Sequence, residues 1–182
     1  KRFPMFKMFF IVFWLSSYHL NGSYLDDGNK LLKEKNITEA IKIYKLSARE
    51  GEDEANFQLG KIYYQKKDLN QAYEYFKKAA DYGHVKAKYN LAVILSQKRF
   101  NKHSYKNSYK LFYNLAKKDH ANAQYKLGIY LLYGLGVEKD YSLSRAWLER
   151  AYFENNYTRA GCGIAMIYAN GFGVIQNLGR AR

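Results

Sequence analysis

The chain has 182 residues and is poor in the residues that build several common kinds of site. Cys162 is its only cysteine, so no disulfide can close within the chain. One proline suits a chain of uninterrupted helices. The four histidines, His19, His84, His103 and His120, are dispersed. No HExxH and no Cys/His ligand spacing accompanies them, so the sequence offers no metal site and no cofactor. Glu50, Glu52, Asp53 and Glu54 lie close together, but adjacent side chains diverge and EF-hand spacing is absent. Acidic residues at a helix start are explained by the helix dipole. No nucleophile with a base and no paired carboxylates stand out, so the reading is non-enzymatic. A hydrolase of cell-wall-like substrates is the weakest alternative. No apolar run reaches the ~20 residues that span a bilayer.

Acid is the scarcer charge, with 16 Asp+Glu against 30 Lys+Arg and a net charge of +14. Such a balance fits an acidic partner or an anionic surface. It also fits plain composition, because Lys, Asn, Tyr and Ile are abundant together and repeat surfaces tolerate solvated lysine.

What the chain does have is periodicity. Within Ala123–Ala160, the residues Ala123, Leu127, Gly128 and Leu131 mark one face of a helix. Gly134-Leu135-Gly136-Val137 ends that helix, and Asp140 or Ser142 can cap the next. Ser144, Trp147, Leu148 and Ala151 then give the second helix its apolar face. Small residues at Gly128, Ser144 and Ala151 allow the two backbones to approach. One such hairpin cannot bury its own apolar surface and needs neighbours. Leu59-Gly60, Leu91-Ala92, Leu127-Gly128 and Ile164-Ala165 repeat at steps of 32, 36 and 37 residues. The second-helix anchors Ala40, Ala72, Ser108, Ser144 and Ala181 repeat with them, as do the junction alanines Ala55, Ala87, Ala123 and Ala160.

This pattern, LG followed by a GxGV turn, an acidic cap, a small residue, Trp147 and an alanine-rich helix end, resembles the Sel-one-like repeat. That repeat is a relative of the tetratricopeptide repeat. Gly171-Phe172-Gly173-Val174 with Asn177 and Arg180-Ala181 repeats the motif. The first two units lack the GxGV insert, and the third carries Lys98-Arg99-Phe100-Asn101-Lys102 in its place. The resemblance implies an all-α fold, an α-solenoid of stacked helix–turn–helix repeats over 23–182, with about four complete units and a truncated fifth. It further implies a scaffold for protein partners, often in envelope or secretory settings. The expected helices are 23–34, 38–50, 54–65, 69–81, 86–97, 105–118, 122–133, 141–154 and 159–170.

Residues 1–22 differ from the rest. Lys1, Arg2 and Lys7 precede the apolar run Met8–Leu15, and a small, polar exit follows. This is the plan of a secretory signal peptide, cleaved after Ser17 or Gly22. The expected location is secreted, periplasmic or in the envelope. The alternative is an apolar helix capping the solenoid.

Partner contacts are expected on the first helix of each repeat, which lines the concave side of such solenoids. Off the core face these helices carry Phe57, Lys61 and Tyr64, then Tyr89, Val93 and Gln97, then Tyr125, Ile129 and Tyr133. Phe57, Tyr89 and Tyr125 share one repeat position and form either an aromatic ladder for a protein or peptide partner, or packing between repeats. From Tyr82 to Lys118 there are nine Lys/Arg and no Asp or Glu. The turn from Lys98 to Lys106 mixes these with Phe100, His103 and Tyr105, which suggests acidic polysaccharide as an alternative partner. No nucleic-acid module surrounds the turn, so nucleic acid is disfavoured. Cys162 is expected to be a half-buried, inert thiol on a first helix.

Overall fold

The computed structural model describes residues 24–97 and 102–181. The expected signal peptide 1–22, and residues 98–101 of the basic turn, lie outside the described residues. Among the described residues there is no strand. The helices are α1 (24–33), α2 (Ile37–Arg49), α3 (Asp53–Gln65), α4 (Leu69–Asp81), α5 (Val85–Leu95), α6 (Lys102–Ala116), α7 (Ala121–Tyr133), α8 (Tyr141–Glu149) and α9 (Ala160–Asn170). The odd-numbered helices are the first helices of the repeats and the even-numbered are the second. The chain is an all-α repeat protein, as its periodicity requires.

Side chains start the helices at the expected places. Asp68 accepts from the Gln71 N–H at 3.1 Å and Asp140 accepts from the Leu143 N–H at 2.8 Å. Each bond satisfies a first-turn donor that the helix itself cannot. Gly134 ends α7 in the left-handed conformation, at φ +72°.

Two compact units divide the chain at Ala87 and Lys88. The first centres on Ala40, Tyr44, Ala55, Leu59 and Ile62, contributed by α2 and α3. The second has one core around Phe112, Leu127 and Leu131 and another around Leu148, Ala160 and Ile167. In each hairpin a small residue on the first helix faces a large one on the second. A Cβ on Gly60 would stand 2.6 Å from the Phe76 ring, and one on Gly128 would stand 2.6 Å from Leu148 Cγ. The small second-helix anchors Ala40, Ala72, Ser108 and Ser144 are fully buried, while Ala181 is half-buried. Where the anchor is serine, its hydroxyl binds the facing backbone. Ser108 Oγ donates to the Ala92 carbonyl at 2.7 Å, and Ser144 Oγ to the Gly128 carbonyl at 2.8 Å.

Two helices depart from expectation. α6 begins at Lys102 rather than 105. The helix expected over 141–154 divides into α8 and a π-helical turn, Arg150–Glu154. The cause is one extra residue. The interval from small anchor to junction alanine is 15 residues for Ala40–Ala55, Ala72–Ala87 and Ser108–Ala123, but 16 for Ser144–Ala160. A π turn holds that residue without displacing Ala151 and Ala160, both fully buried.

Candidate functional site

The ladder residues occupy the junctions between hairpins. Phe57 is only 7% exposed. Its ring stacks on His84 at 4.3 Å and tilts against Phe76 at 5.9 Å. Tyr89, half-buried, stacks on His120 at 5.0 Å. Tyr125, half-buried, meets Tyr157 at 5.4 Å. Each ring therefore meets a ring just before the next first helix begins. Phe57 is a packing element and not an open contact, because the His84 and Phe76 rings pack against it.

The histidines carry a second task. His84 Nδ1 accepts from the Ala87 N–H at 3.1 Å, and His120 Nδ1 accepts from the Ala123 N–H at 3.3 Å. Both act as helix caps in addition to stacking. His84 Nε2 lies 2.9 Å from Glu54, which gives one member of the acidic cluster a structural partner. Burial lowers the His120 pKa below its ordinary value, partly opposed by its own backbone hydrogen bond.

The other expected contact residues are more open. Tyr64 is 41% exposed and Tyr133 is 48% exposed. The Tyr133 hydroxyl donates to Met166 Sδ at 3.1 Å. Lys61 is half-buried, with its ammonium 5.6 Å from the Phe57 ring centroid and donating to Gln58 at 3.0 Å. Val93 and Ile129 pack partly into the cores of the second unit. Gln97 is half-buried. Lys61 and Tyr64 belong to the first unit, and the residues from Tyr89 onward belong to the second.

The sequence reading missed a cavity in the first unit, of about 530 Å³. Lys45 and Arg49 of α2 and Tyr75, Lys78 and Tyr82 of α4, the last just past its end, line it together with Asn56 of α3. Its signal was present in the spacing. Lys45 and Arg49 stand at i, i+4, and Tyr75, Lys78 and Tyr82 at i, i+3, i+7, so each set shares one helix face. No carboxylate belongs to the lining. Burial raises the Tyr75 pKa, while Lys45 and, more weakly, Arg49 pull it down.

Among the described residues, no three His, Cys, Asp or Glu side chains are placed to hold a metal ion. Cys162 is exposed rather than half-buried, because it sits on the side of α9 away from the buried Gly163, Ile167 and Tyr168. Among the described residues, no helix is long and apolar enough to cross a membrane.

Stacked helical hairpins with junction caps and close small-to-large crossings define a tandem-repeat scaffold. The Sel1 repeat family model matches residues 13–52, 53–84, 121–152 and 159–182. The chain belongs to the Sel1 repeat family. The matches leave 85–120 uncovered, where the GxGV turn is replaced. The fold is similar to that of a protective antigen present in uropathogenic Escherichia coli strains, which displays an SLR fold. That likeness has a TM-score of 0.77 and 25% identity, over 91% of this chain and 37% of the antigen. A Sel1 repeat protein from Oxalobacter formigenes is similar at a TM-score of 0.72 and 27% identity, over 86% of this chain and 65% of the other. The chain thus spans less than two thirds of either protein. No curated protein matches it.

Proposed function

We propose that this protein is an exported, non-enzymatic scaffold that binds a protein or peptide partner through the first helices of its repeats. The observation that carries this reading is the placement of Tyr64 and Tyr133. Both are large, exposed aromatic side chains near the ends of first helices. An exposed tyrosine supplies contact area at low entropy cost and is common among binding hot spots. In the first unit Lys61 accompanies Tyr64, and in the second Val93, Gln97, Ile129 and the half-buried rings of Tyr89 and Tyr125 accompany Tyr133, so each unit offers contact residues of its own. Phe57 is packed within the first unit. Export rests on the plan of residues 1–22.

A pull-down of partners from the native envelope, comparing wild type with Tyr64→Ala and Tyr133→Ala, tests the surface. The expected result is unchanged thermal stability and capture weakened by ~2 kcal/mol at a true hot spot. Undiminished capture by both variants overturns it.

A further inference from the structure

The cavity of the first unit is a cationic site with no carboxylate in its lining. Lys45, Arg49 and Lys78 surround one space of about 530 Å³. That falls within the roughly 300–1,000 Å³ of ligand sites. Among the described residues, none of the three makes a salt bridge. The bridges that do form are Lys42–Glu39, His84–Glu54, Arg145–Glu149 and those of Arg150. Lys78 stands instead over the Tyr75 ring, at 5.5 Å. Three like charges around one space repel one another, and an anion placed among them relieves that repulsion.

We infer that this cavity, lined by Lys45, Arg49, Lys78, Tyr75 and Tyr82 over a floor of Asn56, binds an acidic segment of a protein partner through its side-chain carboxylates. The arginine fork of Arg49 suits a carboxylate bidentately, and the two lysines act as mobile point charges beside it. The Tyr75 and Tyr82 hydroxyls add neutral donors. Tyr75 is half-buried, stacked on Tyr63 at 5.5 Å, so its phenol is held in place. Tyr82, 69% exposed, forms a movable rim. Asn56, at 3% exposure, closes the bottom and ties its amide to the Glu52 carbonyl at 3.3 Å. The volume admits more than one acidic side chain, so an acidic run is a better occupant than a lone carboxylate. A peptide is chosen because the repeat family to which the chain belongs is one of protein-binding scaffolds. The inference shares the protein-partner premise of the proposed function but not its surface, since the cavity lies mainly on α2 and α4, which are second helices.

The test uses a fluorescein-labelled deca-glutamate peptide, with binding read by anisotropy at fixed ionic strength. Wild type is compared with a Lys45→Gln/Arg49→Gln double variant. The control is Lys66→Gln/Lys67→Gln, which removes the same charge from exposed turn residues outside the cavity. All four side chains are exposed, and circular dichroism verifies that both variants keep the fold. The expected result is affinity lowered about tenfold or more in the cavity variant, as for loss of charge-assisted bonds, and less than about twofold in the control. Equal losses overturn the inference in favour of diffuse attraction to the net charge. Absence of wild-type binding overturns it outright. Tighter binding of polygalacturonate at equal carboxylate concentration overturns the peptide assignment. Loss of partner capture by Tyr64→Ala and Tyr133→Ala, with no deca-glutamate binding, sinks this inference while the first-helix surface stands. Deca-glutamate binding lost only in the cavity variant, with capture indifferent to Tyr64 and Tyr133, does the reverse.

Discussion

Protonating His120 removes a helix cap. Its Nδ1 lone pair accepts from the Ala123 N–H, so the proton of the neutral ring is on Nε2. A second proton would set a donor against a donor. Burial lowers its pKa in the folded chain, so the unfolded chain binds that proton more readily. The stabilisation is therefore complete above the unfolded value of about 6.5 and is lost as pH falls from there through the lower folded value. Asparagine can cap without titrating. Thermal melts between pH 7.5 and 5 should show a smaller acid-side fall in Tm for His120→Asn than for wild type. An identical fall in the two proteins removes His120 as a source of the pH dependence.

At the scale of the element, the hairpin depends on one close crossing. Gly128 stands where a Cβ would be 2.6 Å from Leu148 Cγ and 3.2 Å from the Ser144 carbonyl oxygen. Ala92 fills the equivalent place in the preceding hairpin, beside Phe112, so one methyl group is accommodated there and a larger side chain is not. Gly128→Leu should cost about 1–3 kcal/mol through overpacking. Chemical denaturation measures it, and a change below the error of the fit would show that the crossing yields more than its geometry implies. The same scale explains the GxGV insert. Gly136, at φ +70°, would place a Cβ 2.5 Å from the backbone at Tyr105 and Lys106. The insert thus folds onto the start of α6, and Leu135 and Val137 pack into that core. Hairpins without the insert, such as α3–α4, close through the short turn at Lys66-Lys67-Asp68, with Lys67 at φ +61°.

For the whole molecule, the Sel1 repeats define a scaffold. The net charge of +14 favours acidic partners electrostatically and makes their association salt-sensitive. The proposed export has a direct measurement. Intact-mass analysis of protein from the native envelope should find an N-terminus near Tyr18 or Ser23. Soluble cytoplasmic protein that keeps residues 1–22 would falsify export.

The repeat itself was legible in the sequence. Spacing alone placed the helices and junctions, because each hairpin needs the same small and large residues at the same offsets to bury its face. The family followed from the same offsets. Other features required the tertiary structure. The extra residue between Ser144 and Ala160 was visible as a count, but only packing decided that a π turn absorbs it rather than a loop. Phe57 reads as a groove position by register, yet its exposure depends on His84, 27 residues away. The dual role of His84 and His120 was hidden because capping and stacking are set by side-chain direction, not by residue type. The basic cavity was missed for a related reason. Its cations lie on α2 and α4, which are separated in sequence by the whole of α3, and a sequence reading that follows one helix at a time does not add charges across the helices that fold beside it.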